Sequence, residues 1–303
     1  MMLSICITAR DVALNELITR LKEQAEKLDV DTEICVAESA SKSSISRQNE
    51  ALCNNLNIKY IRHNQYWSHG QMKNMLAQQA SGSYLLFVHG SMHITHRKFL
   101  SSYTEVMQPG VVVHGGVSAS GRRPAPDYEL HWLAMHNLLT YTSDERNKHP
   151  YYHLCTNNMM IPRGLFLQYP TPDSDDFSGL LPYSFELKNN KIPVIHIDNP
   201  IATSRFLETM RFLAITRMQM QQIAYWIKKL TKEEMEHVAI PEYRHLLKAK
   251  KWKMAPLLKN TYKLNAARLF SDNYFSLRTS LRMYKHFRRW MLMKYIENKK
   301  MAS

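Results

Sequence analysis

The sequence predicts an α/β protein: a mostly parallel sheet with helices on both faces, followed by a basic helical region. Three observations predict it. Short apolar runs alternate four times with helix-spaced segments in the first hundred residues. All 9 glycines precede residue 180, whereas the stretch after Ser204 holds only two prolines, Pro241 and Pro256. Charge divides at the same place. Residues 1–204 carry 18 Lys/Arg against 19 Asp/Glu, and residues 205–303 carry 22 against 7, so the net +14 of this 303-residue chain comes wholly from its last third. The expected division is therefore 1–204 and 205–303. A 45% apolar share supplies a core and argues against a disordered chain. Cys6, Cys35, Cys53 and Cys155 form no C-x-x-C pair, which argues against a disulfide scaffold or structural zinc. No run of about 18 apolar residues marks a membrane span. The first residues begin a strand and do not read as a cleaved leader, so a reducing cytoplasm is the expected setting.

Each element follows from its own pattern. Leu3–Thr8 is a buried strand, and Leu14, Leu17, Ile18, Leu21, Ala25 and Leu28 recur at helical spacing behind Asp11, a candidate cap. Glu33–Ala37, Ile58–Arg62 and Tyr84–Val88 read as strands, and Ser43–Leu56 and Gly70–Ala80 as helices. Further strands are expected at 111–113, 116–118, 156–161 and 192–197, with a helix over 128–141. Pro170–Asp176 must be a loop, because its prolines forbid a helix interior. Past Ser204, Phe206, Met210, Leu213, Met220, Ala224 and Ile227 suit one long helix. Thr231 with Glu234 is a capping box. Phe270 through Tyr295 forms an aromatic stripe interleaved with Arg278, Arg282, Lys285, Arg288 and Arg289.

Ligands in open α/β sheets bind at the carboxyl ends of the strands, near the switch in strand order. Thr8, Ala9 and Arg10, then Glu38 and Ser39, then His89, Gly90 and Ser91 all fall at such ends. Gly90 would let backbone approach a phosphate. Several segments in that order are similar to family 2 glycosyltransferases of the GT-A fold: Ile7-Thr8-Ala9-Arg10, Val36-Ala37-Glu38-Ser39, Ser68-His69-Gly70 with Lys73-Asn74, and Ala80-Ser81-Gly82-Ser83-Tyr84-Leu85-Leu86-Phe87-Val88. Asn157-Asn158-Met159-Met160-Ile161-Pro162-Arg163 resembles the family's acceptor-side strand, and Asp175-Asp176 its catalytic acidic pair. The resemblance implies a nucleotide-sugar donor with base and ribose on the first two strand tips and diphosphate on the third. It also implies a glycan or lipid-linked acceptor and a place in bacterial surface polysaccharide synthesis. Asp176, or Asp175, would take the acceptor proton; Lys73, Arg10 and Arg163 are candidates for the diphosphate.

The family has Asp-x-Asp after the fourth strand, and this chain has His89-Gly90-Ser91. Hard cations want oxygen ligands. Three outcomes stay open: a metal-independent transferase, a softer ion on His89, His93 and His196, or a non-catalytic binding or scaffold protein on the same fold. His96 and His114 also fall at expected strand ends, where a hydrogen-bonded structural role is commoner than ligation. The excess of 15 cations after Ser204 asks for an anionic partner. An anionic membrane surface on the inner face of the cell membrane fits the aromatic–basic pattern. Packing on the body or a second subunit is the competing reading, and nucleic acid ranks lower for want of a recognised motif.

Overall fold

The computed structural model describes residues 1–152, 154–173, 177–231, 234, 241–251, 255–270 and 276–297. Two compact units emerge: residues 1–121 with 140–205, and residues 122–139 with 206–303. The helical unit thus takes in an internal segment that no change of composition marks.

Among its described residues, the first unit holds a seven-stranded sheet in the order β3-β2-β1-β4-β8-β6-β9. These are β1 (Met2–Ala9), β2 (Asp31–Ser39), β3 (Lys59–His63), β4 (Tyr84–His89), β6 (Val112–His114), β8 (Asn158–Pro162) and β9 (Val194–His196). The first four are parallel, with Thr8 opposite both Ala37 and His89. β8 runs antiparallel to both β4 and β6, and β6 is parallel to β9. β1 is buried over Leu3–Ala9, as a central strand covered on both faces must be. Leu3, Ile5 and Ile7 meet Leu17, Ile18 and Leu21 of α1 (Asn15–Ala25) on one face. Cys6, Leu85 and Phe87 meet Met72, Leu76 and Ala77 of α3 (His69–Gln79) on the other. That second face is completed by α7 (Arg163–Gln168) and α8 (Phe177–Asn189), and Phe87 packs on Phe166 at 4.7 Å between ring centroids. The expected α/β class and mostly parallel sheet are present.

Local differences have local causes. Asp11 does not cap α1. It sits at φ 48° and its carboxylate accepts from the Lys42 N–H at 2.7 Å, so Leu14 becomes the N-cap, its N–H donating to Asn49 Oδ1 at 3.0 Å. The helix expected over 128–141 is α5 (Pro126–Ala134) followed by a π turn at Met135–Leu139. A small second sheet of β5 (Met92–Ile94), β10 (Ile201–Thr203) and β7 (Val117–Ala119) joins distant parts of the same unit.

In the second unit α9 (Thr209–Lys229) and α12 (Leu277–Glu297) pack together, with Phe212 stacked on Tyr284 and Thr216 hydrogen-bonded to the Tyr284 hydroxyl at 3.0 Å. The Thr231–Glu234 capping bonds are present. α10 (Pro241–Lys251) is tied to α12 by the Glu242–Arg288 ion pair at 2.6 Å, and α11 (Ala255–Arg268) by Lys259–Glu297. No described helix is long and apolar enough to cross a membrane.

Candidate functional site

Strand order reverses at β1: β2 and β3 lie on one side, β4 on the other. The region beyond the tips of β1 and β4 is where a ligand is expected in an open sheet. The groups found there begin with His69, the first residue of α3. Ser68 fixes that helix start through a capping box with Gln71. His69 Nδ1 lies 3.2 Å from Thr8 Oγ1 and its Nε2 lies 3.1 Å from His89 Nε2. His89 Nδ1 in turn meets the Ser91 N–H at 3.1 Å and the Ser91 hydroxyl at 2.8 Å.

A backbone N–H can only donate, so we assign His89 Nδ1 as an acceptor and its proton to Nε2. His69 Nε2 then accepts, and its Nδ1–H donates to Thr8. One amide of the β4 turn thereby sets the tautomers of both rings.

Further residues surround these rings. Lys73, one turn into α3, is 3% exposed, and its ammonium donates to Thr156 Oγ1 at 2.6 Å and Asn157 Oδ1 at 3.2 Å. The Asn157 carbonyl accepts from the His89 N–H at 3.3 Å, so the fourth strand and the lysine share one anchor. Arg10 donates to the Trp67 carbonyl, and its guanidinium lies 4.2 Å from the Tyr66 ring centroid. Tyr66 itself is 61% exposed.

Other expected site residues hold the scaffold. Glu38 is buried, and its carboxylate accepts from Ser46 Oγ, Asn49 Nδ2 and the Tyr60 hydroxyl, each at 2.8 Å. Asn49 also binds the Val12 carbonyl, so Glu38 fixes the turn after β1 through α2 (Ser43–Asn55). Burial and this carboxylate push the Tyr60 phenol up. Ser39 Oγ accepts from the Trp67 N–H at 2.7 Å and shapes the aromatic loop. Ala9 is fully buried behind it. Gly90 is needed for close approach to the chain itself: a Cβ there would lie 2.8 Å from Leu14 Cδ2 and 3.1 Å from the Thr8 carbonyl. Arg163 is corrected outright. It donates to the carbonyls of Ala77 and Gln78, and Pro162 beside it pairs with Tyr84, the first residue of β4. That is roughly 17 Å of strand from His89, so Arg163 does not reach a diphosphate at those tips. Asp175 and Asp176 lie outside the described residues.

The expected histidine ligands do not gather. His196 is 4% exposed. Its Nδ1 accepts from Arg146 Nε at 3.2 Å and its Nε2 meets the Pro150 carbonyl at 2.9 Å. Burial first, then Arg146, pushes its pKa down to about 4. His93 Nε2 is bound to Ser204 Oγ at 2.6 Å in the small sheet. No group of three His, Cys, Asp or Glu among the described residues could hold a metal. The donors at the β4 tip are imidazoles and hydroxyls without a described carboxylate, which does not fit a hard divalent cation.

His69, Tyr66 and Thr156 received no role from the sequence. Only the motif Ser68-His69-Gly70 drew attention to that turn, and nothing in it marked a ring that would meet β4.

Neither a protein-family model nor a curated protein matches the sequence. Solved structures do match its fold. Mannosyl-3-phosphoglycerate synthase from Rubrobacter xylanophilus superposes with a TM-score of 0.53 at 14% identity over 76% of this chain and 74% of that one. The mannosyltransferase PcManGT from Pyrobaculum calidifontis, in complex with GDP-Man and Mn2+, gives 0.54 at 14% over 98% and 87%. S. aureus TarS 1-349, in complex with UDP-GlcNAc, gives 0.51 at 13% over 97% and 91%. The fold is GT-A. At these identities the likeness establishes architecture, and activity has to be argued from the site.

Proposed function

We propose that this chain transfers a sugar from a nucleotide-activated donor to an acceptor hydroxyl. The observation that carries the reading is the hydrogen-bonded chain Thr8–His69–His89–Ser91 at the β1–β4 switch, with buried Lys73 tied through Asn157 to the same turn. PcManGT and TarS are solved with GDP-Man and UDP-GlcNAc, donors of the class proposed here. Base and ribose lie toward the tips of β1 and β2, where Tyr66 backed by Arg10 offers a stacking surface. The diphosphate lies toward His89-Gly90-Ser91. Glu38 and Ser39 act as positioning residues from beneath.

In the reaction the acceptor oxygen bonds to the anomeric carbon as that carbon's bond to the diphosphate oxygen breaks. The hydroxyl proton passes to Asp176, or to Asp175, and the nucleoside diphosphate departs. Its growing charge is met by the Lys73 ammonium in a poorly solvated wall and by hydroxyl and imidazole donors, without a hard cation. A groove along α3, lined by Trp67, Gln71, Asn74, Phe166 and Asp173, suits the acceptor. The acceptor is a glycan or a lipid-linked glycan in bacterial surface polysaccharide synthesis. The enzyme works from the cytoplasm, peripheral to the inner face of the membrane.

A thermal-shift panel of nucleotide sugars, with and without EDTA, tests the reading. One nucleotide family at about a hundred times its Kd should add about 2.7 kcal/mol and raise Tm by roughly 5–10 °C, with or without chelator. Asp176→Asn should lower turnover by about 10²–10⁴ with donor affinity retained. Stabilisation without turnover on any acceptor would favour the non-catalytic reading, prompted by the missing Asp-x-Asp. No stabilisation by any nucleotide would end the transferase reading and favour the non-catalytic binding or scaffold protein.

A further inference from the structure

α9 has two sides of opposite character. One turns Phe212, Leu213, Thr216, Met220, Ile223 and Ala224 inward, all buried. The other carries Met210, Ala214, Met218, Gln221 and Tyr225, which fall within an arc of roughly 80° at about 100° per residue. Met210 is 60% exposed, Met218 54% and Tyr225 38%. Exposed Arg217 borders this arc on one edge and exposed Arg211 and Lys229 on the other, while Lys228, in line with Met210, donates to the Tyr295 carbonyl at 3.0 Å. Lys229 Nζ lies 4.3 Å from the Tyr225 ring centroid, which keeps that cation beside the apolar strip. No Asp or Glu occurs in the helix.

Solvent alone does not account for this face. A helix side facing water is ordinarily polar, yet here methionines stand outermost and cations flank them. The strip is about 22 Å long from Met210 to Tyr225, at 1.5 Å rise per residue. An apolar strip between two cationic borders is the sidedness of a helix lying in the plane of an anionic bilayer, with methionine and tyrosine among the acyl chains and Arg/Lys at the phosphates. The surrounding region agrees in charge, with 22 Lys/Arg against 7 Asp/Glu over 205–303.

We infer that the outward face of α9 seats the protein on an anionic lipid surface, through Met210, Met218 and Tyr225 inserted beside the flanking cations Arg211, Arg217 and Lys229. The inference rests on the peripheral placement proposed above and assigns it a contact face.

The test is co-sedimentation of the full chain, without nucleotide, with vesicles of phosphatidylcholine alone or with roughly a third phosphatidylglycerol. The expected result is at least tenfold stronger partition onto the anionic vesicles, weakened at about 0.5 M salt. Met210→Ser with Met218→Ser should lower partition about tenfold although no charge changes. The matched pair Leu257→Ser with Leu264→Ser, exposed apolar positions on α11, should leave it unchanged. Equal partition onto neutral and anionic vesicles overturns the inference, as does indifference to the methionine pair. So does a dimer in solution that the methionine pair dissociates, which would give the face to a second copy of the chain. So, finally, does salt-dependent binding to nucleic acid without binding to vesicles. Nucleotide stabilisation is measured without vesicles, so either proposal can fail while the other stands.

Discussion

The first unit carries two histidine pairs in contrasting surroundings. His69 and His89 meet at the β1–β4 tips with ring centroids 4.4 Å apart and planes tilted by 55°, and both are partly exposed. His114 and His196 stack at 5.2 Å and 23°, are 0% and 4% exposed, and lie against Arg146. Arg146 is itself buried, with its guanidinium donating to the carbonyls of Tyr141, Gly115 and Ile197 as well as to His196. Burial, then His196 and Arg146, holds His114 far below the ordinary imidazole range. The second pair is a fixed joint between β6, β9 and the segment before β8. The first pair is reachable and sits where the strand order reverses. Residue type does not separate a structural histidine from a chemical one here; surroundings do.

Four experiments press on that contrast. The largest effect is expected from Arg146→Met. It removes the buried guanidinium from three carbonyls and a ring nitrogen, of which the Gly115 carbonyl keeps the Asn199 N–H, and should cost about 3–5 kcal/mol of stability in urea unfolding. His69→Ala should cost less than about 1 kcal/mol by the same assay. If the two variants lose stability equally, the contrast fails.

The second effect is on pH. His196 has a folded pKa of about 4 against about 6.5 when unfolded, so the unfolded chain takes up the proton first as pH falls. The stability this neutral imidazole contributes is whole above about pH 6.5 and is lost as pH drops toward 4, by roughly 3 kcal/mol. Urea unfolding at pH 7 and 4.5 measures it, and His196→Gln should flatten the slope by about one proton. His131 in the helical unit, also brought to about 4 by burial, adds a loss of the same sign.

Third, His89→Ala should weaken nucleotide binding about 10–100-fold, roughly 1.4–2.7 kcal/mol, with little change in Tm. His114→Ala should do the reverse. Last and smallest, Gly90→Ala should cost about 1–2 kcal/mol, because Leu14 and the Thr8 carbonyl must move to admit the methyl.

Much of the site was legible in the sequence. The runs at Leu3–Thr8 and Tyr84–Val88 are long and apolar enough to read as buried strands, and from them the tips at Thr8 and His89 follow. The three-residue strands β5 and β10 carry no period to read, so of the second sheet only β7, overlapping the strand expected at 116–118, was legible. Nor does sequence reveal strand direction: β8 reads like any apolar strand, and its reversal places Arg163 at the wrong end. Glu38 and Gly90 were legible as tip residues, but a carboxylate turned inward onto Asn49 and a glycine pressed on Thr8 are facts of packing. His69 meets His89 across twenty residues of chain, a contact that tertiary structure alone creates.

The most direct measurement follows the ring nitrogens of the histidines by NMR while a nucleotide sugar is titrated in the presence of EDTA. The His69 and His89 signals should move in a saturable one-to-one titration while those of His114 and His196 stay fixed. Saturable binding that leaves His69 and His89 untouched, or no binding of any nucleotide sugar, would contradict a donor site at the junction of β1 and β4.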